Sequence, residues 1–265
     1  MTEIVVLNNI FIENAICLSQ RMNIPIAKKI DKKIVYIVYG GHSNPILLNT
    51  LQERLGCKYI ILNSEHYSSS HFSNKYYLQL LKNNYICDYL PANRQFLKTH
   101  YNINILSYYW FEFMHHTSND ERPIDILFIG AKSNLRVEVE TKLKKAYPNK
   151  SIQFYYPDVY SDVTNLLLQA QTVLNIPFYE NNMETHRINK ALACGCTVVS
   201  YVIDDPQLRE LYNDYVYFSK DYISVVNTSS KHYGNLVKNQ NENIYKYFAW
   251  SVSQVVKRFT YEVDT

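Results

Sequence analysis

Lys33 to Leu62 reads KIVYIVYGGHSNPILLNTLQERLGCKYIIL. Its first part, Lys33 to Tyr39, is a run of β-branched and aromatic side chains that stops at Gly40-Gly41, the pattern of a buried strand entering a loop. From Asn44 to Leu55, Ile46, Leu47, Thr50, Leu51 and Leu55 share one helical face, and Gly56 stands where a helix C-cap belongs. Tyr59 to Leu62 is a second strand. Strand, helix and strand in that order make the unit of a parallel sheet.

The alternation continues outward from this unit. Lys75 to Lys82 reads as helix, Tyr85 to Tyr89 as a short strand and Ala92 to Thr99 as helix. His115 to Pro123 (HHTSNDERP) has the charge, Ser, Asn and Pro of an exposed linker, and sets the expected boundary between domains at 1–118 and 119–265. Beyond it, Asp125 to Ile129 is an apolar strand ending at Gly130. Leu135 to Ala146 follows as helix, Ile152 to Tyr156 as strand, Asp162 to Gln171 as helix and Thr172 to Ile176 as strand. Glu184 to Ala193 is helix and Thr197 to Tyr201 strand. A last amphipathic helix, Glu242 to Arg258, either closes the second core or crosses back to the first domain. Two successive α/β halves are the pattern of two Rossmann-like, doubly wound domains.

Composition narrows the partners. The 265 residues are 47% hydrophobic, enough for one large or two small cores. A net charge of +3 with dispersed lysines predicts no nucleic-acid partner. No apolar run is long enough for a transmembrane segment, and the first twenty residues lack a signal-peptide pattern, so a cytoplasmic protein is expected. The five cysteines have no zinc-site spacing and read as reduced structural thiols, and the adjacent His115 and His116 have no third ligand at matching spacing. No metal site and no cofactor are expected. The 25 tyrosines accompany an Asn, Ile and Lys bias that fits an AT-rich coding genome, although some could stack on sugar rings.

Chemistry concentrates in Val173 to Ser200, VLNIPFYENNMETHRINKALACGCTVVS. A strand runs into a polar loop with Tyr179, Glu180 and Glu184, a helix begins near Thr185, and Gly195 ends it before the next strand. In an open α/β sheet, ligands sit where loops leave the carboxyl ends of strands, and helix N-termini there hold phosphate. A plain capped helix, with Glu184 at its positive end and Arg187 paired to it, accounts for the same residues.

This stretch, with Asp204-Asp205 and Tyr215 to Phe218, resembles the donor-binding region of group 1 glycosyltransferases of the GT-B fold. It is most similar to short, often viral or bacterial, members with an E-T-H-R-I-N-x-A-L motif. Ile126 to Gly130, with Asn134 and Arg136, resembles the family's glycine loop. Tyr59 to Glu65 and Cys87 to Asn93 resemble its Asn-x-Glu and Asp-Tyr-x-x-x-Asn segments. The resemblance implies two Rossmann-like domains facing across a cleft and sugar transfer from a nucleotide-sugar co-substrate, UDP- or GDP-linked, to a hydroxyl of a glycan or glycoconjugate. If the source is viral, the location would be host cytoplasm. One departure stands out: the larger family has a glutamate just before its Ala-x-Ala-x-Gly segment, where this chain has Lys190. Ribose contacts must then come from elsewhere, which keeps open a catalytically inactive GT-B-like protein that binds a nucleotide or glycan.

The expected donor-binding set is Gly130, Lys132, Asn134, Arg136, Tyr179, Glu180, Thr185, Arg187 and Asn189. Arg136, Lys132 and Arg187 would stabilise the leaving diphosphate without a metal, since no Asp-x-Asp clamp is visible, and Gly130 would allow close backbone approach. Catalytic candidates are Glu184 together with His42 and Glu65, each of the latter two following a strand and able to take a hydroxyl proton. Gly40, Gly41, Asp88 and Asn93 complete the expected acceptor side.

Overall fold

The computed structural model describes residues 2–109, 113–114, 116, 121–157, 163–179, 183–202, 206–223 and 249–259. Two compact units emerge, Met1–Glu112 with Lys238–Thr265, and Phe113–Val237. The helix over residues 249–259 thus belongs with the first unit.

In the first unit the order is β1 (Thr2–Val6), α1 (Ile12–Met22), β2 (Val35–Tyr39), α2 (Pro45–Leu55), β3 (Lys58–Asn63), α3 (Lys75–Lys82), β4 (Tyr85–Asp88), α4 (Pro91–Tyr101) and β5 (Ser107–Tyr108). All five strands pair in parallel, in sequence order. Every residue of β2 is buried, as the continuous apolar run requires of a strand covered on both faces. Local signals set the helix ends. The Asn44 side chain accepts from Leu47 N–H at the start of α2, Pro45 occupies its first turn, and Gly56 closes it at φ 65°.

Strand order alone would make this sheet singly wound, but the segment after α1 changes the reading. Ile26 bridges Ile4 in parallel on β1, with Ile4 N–H donating to Pro25 O and Ala27 N–H to Ile4 O. The chain therefore passes along β1 before returning to β2, and β1 is a point where the winding reverses. Ala27, Ile30 and Ile34 of the return path pack into the same core as Leu48 of α2 and Tyr77 and Leu80 of α3.

The second unit runs β6 (Ile124–Ile129), α5 (Asn134–Ala146), β7 (Ile152–Tyr155), α6 (Val163–Leu168), β8 (Ala170–Asn175), α7 (Thr185–Ala193), β9 (Thr197–Tyr201), α8 (Pro206–Tyr212) and β10 (Val216–Ser219). Its parallel sheet has the order β10-β9-β8-β6-β7, so the winding reverses between β6 and β8. Both units are thus Rossmann-like and doubly wound, the fold class expected from the sequence.

Differences from the sequence-based elements are local. Periodicity predicts a helix over 162–171, yet α6 ends at Leu168, because Ala170 already pairs with Ile124 of β6. The strands β1, β5 and β10 and the helices α1 and α8 are not evident from periodicity. Their runs are short or broken by polar residues such as Glu3 and Asn14, and both of these side chains are buried.

Candidate functional site

At the carboxyl ends of β6 and β8, three loops are tied together by one buried side chain. Arg136, in the first turn of α5, is 1% exposed. Its Nη1 donates to Ala131 O at 2.7 Å, its Nε and Nη2 to Ile176 O at 3.1 and 2.8 Å, and Nη2 also to Glu184 Oε1 at 2.6 Å. The loop after β6, the loop after β8 and the entry to α7 are therefore set by one guanidinium, whose planar fork of donors suits this task.

Glu184 precedes α7 and takes two further constraints from its surroundings. Phe178 N–H donates to Oε1 at 3.1 Å, and Arg187, one turn into the helix, pairs with Oε2. Arg187 in turn donates to Ile129 O and to Asn175 Oδ1, each at 2.8 Å. The guanidinium carbons of Arg136 and Arg187 lie 4.8 and 5.0 Å from the centre of the Phe128 ring. Two cations thus share one carboxylate, leaving a local positive excess.

Gly130 ends β6 inside this arrangement. A Cβ there would lie 2.7 Å from Arg187 Nη2, 3.0 Å from Phe128 Cζ and 3.3 Å from Arg136 Nη1. The glycine is needed for the arginines to approach the strand end. Just beyond it, Lys132 and Asn134 are exposed, and the Ser133 side chain accepts from Arg136 N–H to cap α5. Thr185 and Asn189 are buried on α7, where Asn189 Oδ1 accepts from Tyr212 OH at 2.7 Å. Tyr179 is half-buried, and its ring lies 5.0 Å from that of Phe178. Glu180, Asp204, Asp205 and His115 lie outside the described residues. Lys190, at the departure from the family pattern, places Nζ 5.5 Å from the Phe113 ring centre. On the same helix, burial pushes His186 down to about 3.

Sequence reasoning missed Asn175 and Phe128, which hold the arginines. Asn175 follows the apolar part of β8 and donates its amide to Ser200 Oγ at 2.9 Å. Nothing in a strand-terminal Asn or Phe distinguishes it from ordinary core until the neighbouring strands are in place.

In the first unit, the expected acceptor-side residues fall into two connected groups. Asp88 and Asn93 are fully buried. Asp88 Oδ2 accepts from Asn63 Nδ2 at 2.7 Å, and Oδ1 accepts from Leu90 N–H at 2.9 Å and Asn93 Nδ2 at 3.0 Å. Burial pushes Asp88 up to about 7, against the opposing effect of these N–H donors. Asn93 also donates to Glu65 O at 2.7 Å and accepts from Tyr67 N–H at 2.9 Å. The group fixes the backbone of the loop after β3. Asn63, the Asn of the Asn-x-Glu segment, and Tyr77, which sequence did not single out, belong to it: Tyr77 OH donates to Asn63 Oδ1 at 2.6 Å.

At that loop the second group gathers residues from neighbouring segments. His42 Nδ1 is 3.3 Å from Glu65 Oε1, and Ser69 Oγ donates to Glu65 Oε2 at 2.9 Å. His71, not singled out by sequence, brings Nε2 to 3.8 Å from Glu65 Oε2, and its ring centre is 4.8 Å from that of His42. Gly40 adopts φ 72° with its Cβ direction blocked 2.9 Å away by Asn8 Cβ, and Gly41 packs on Ile61 and Leu80. These glycines shape the turn that carries His42 rather than opening a surface.

No protein-family model matches the chain, and no curated protein matches it. Among solved structures, it is similar to Anabaena HepE, described as a crystal structure in complex with UDP and glucose. The TM-score is 0.55 with 9% sequence identity, over 98% of this chain and 95% of that one. At this identity the likeness is one of fold, and it spans both α/β units.

Proposed function

We propose that the chain is a GT-B glycosyltransferase that moves a sugar from a nucleotide-sugar donor to a hydroxyl of a glycan or glycoconjugate. The observation that carries this reading is the Arg136–Glu184–Arg187 cluster around Gly130, placed where the winding of the second sheet reverses. Open α/β sheets hold their ligands at such a point. A fold shared with a protein whose crystal structure contains UDP and glucose supports a UDP-linked donor as the first candidate.

In this reading the diphosphate lies at the loop after β6, against the N-terminus of α5 and beside Lys132, with Arg187 supplying fixed positive charge. Backbone N–H groups and cations stabilise the leaving diphosphate without a metal ion bound to it. Arg136 acts from beneath by holding the loops in place. Glu184, pinned between two guanidiniums, offers its outward lone pairs to sugar hydroxyls. The acceptor is assigned to the first unit, where the loops after β2 and β3 carry His42 and Glu65.

The test is a thermal-shift screen against UDP, GDP, ADP, CMP and dTDP and their common sugar conjugates, followed by a transfer assay with the conjugate that binds. A ligand of the folded state at 100 times its Kd adds about 2.7 kcal/mol of stability. Stabilisation by one nucleotide series, lost in Glu184→Ala, is expected. No response to any nucleotide would sink the reading, and binding without turnover would favour an inactive binder.

A further inference from the structure

We propose that His42, Glu65 and His71 form a binding site for one divalent transition-metal ion of the Zn2+ class. The three side chains each present one ligand atom, and these atoms lie within 4.8 Å of one another. Among the described residues no other trio of His, Cys, Asp or Glu converges in this way. Two imidazoles and one carboxylate are a ligand set that suits Zn2+ and leaves a further position for water or an oxygen ligand.

The separations approach those the ion needs. Bonds of about 2.1 Å at tetrahedral angles put neighbouring ligand atoms about 3.4 Å apart. Here His42 Nδ1 is 3.3 Å from Glu65 Oε1 and His71 Nε2 is 3.8 Å from the other oxygen, Oε2, and with one atom taken from each side chain the three lie within 4.8 Å, so the set must draw together on an ion. The remaining contraction falls on His71, whose side chain is 39% exposed on the short 3-10 turn Ser70–Ser73 and has room to move. His42 and Glu65 are held more tightly, with side chains 11% and 19% exposed.

The surroundings are those of a built site. Ser69 Oγ donates to Glu65 Oε2, which orients the carboxylate as partners of metal ligands commonly do. Ser69 is itself buried and also accepts from His71 N–H, so the same hydroxyl links two of the three ligands. The Tyr77 ring stands steeply inclined to both imidazoles, with centres 6.4 Å away in each case. Asn93 clamps Glu65 from behind through its carbonyl. The ligands come from three chain segments, the turn after β2, the loop after β3 and the following 3-10 turn, so an ion there would tie the loops together.

This site lies in the first unit, apart from the residues assigned to the donor diphosphate; it shares His42 and Glu65 with the assigned acceptor side, but its test reads metal binding and not sugar transfer. Titration calorimetry of the full chain with ZnCl2, alongside His71→Ala and Glu65→Gln, tests it, with circular dichroism showing that each apo variant is folded. The expected result is one Zn2+ per chain, binding weakened at least about tenfold in both variants, and intense visible absorption from Co2+ in a tetrahedral site. Absence of Zn2+ binding to the wild type overturns the proposal. So does unchanged affinity in the folded His71→Ala variant, which would place the ion on other ligands.

Discussion

Arg136 Nη2 and Glu184 Oε1 meet at 2.6 Å, joining the first turn of α5 to the entry of α7 across the reversal point of the second sheet. The arginine is almost fully buried and the glutamate partly exposed, so the pair organises the loops from inside while keeping a carboxylate at the surface. Removing the glutamate takes from a buried cation its carboxylate partner. Glu184→Ala is expected to lose about 1–3 kcal/mol of stability in urea denaturation while remaining folded, and to reduce sugar transfer by at least about a hundredfold. Full activity in this variant would remove Glu184 from the site.

Gly130→Ala probes the same cluster from the strand end. The new methyl would press on the Arg187 guanidinium, which can shift, and on the Phe128 ring, which is packed in the core. A stability loss of about 1–3 kcal/mol is expected. Displacement of Arg187 should also abolish the nucleotide-induced thermal shift. A variant that keeps that shift would show that the approach to Gly130 is structural only.

Asp88→Asn tests the polar group in the first unit. Each carboxylate oxygen of Asp88 accepts from N–H donors, so either orientation of an amide sets an NH2 group against another donor. At pH 8, where the carboxylate is ionised, the loss should be about 1–3 kcal/mol by denaturant unfolding. Equal stability of wild type and variant would mean that the loop after β3 is held without this network.

His186 gives a pH signature. Its folded-state value is depressed from 6.5 to about 3, so below pH 6.5 the unfolded chain binds a proton that the folded chain does not. Its contribution is present above pH 6.5, is lost progressively as pH falls, and stops changing near pH 3. The stability difference between wild type and His186→Asn should shrink from pH 7 to pH 4. A difference independent of pH would show that His186 is protonated or hydrated in the folded protein.

The alternation of apolar runs with capped, amphipathic segments was legible because each depends on neighbours within a few residues. Gly56 closing α2 is of this kind. The stretch around Glu184 was legible as a candidate site through its loop-to-helix pattern and a family resemblance. The Asn175 contact to Arg187 was not, because residues distant in sequence meet there only after β6 and β8 pair. His71 is similar: a histidine after a Ser-rich stretch has no marked pattern, and its significance comes from standing beside Glu65 and His42.

By itself the sequence determined two α/β halves, their principal strands and helices, and the loops in which chemistry collects, because periodicity, capping and glycine placement act locally. Tertiary structure alone decided the reversal of winding at β1 through the Ile4–Ile26 bridge, the burial of Arg136 as the tie between three loops, and the convergence of His42, Glu65 and His71. Those features depend on strand order and side-chain packing between segments far apart in the chain, where free energy is set by which groups can bury and pair together rather than by any local pattern.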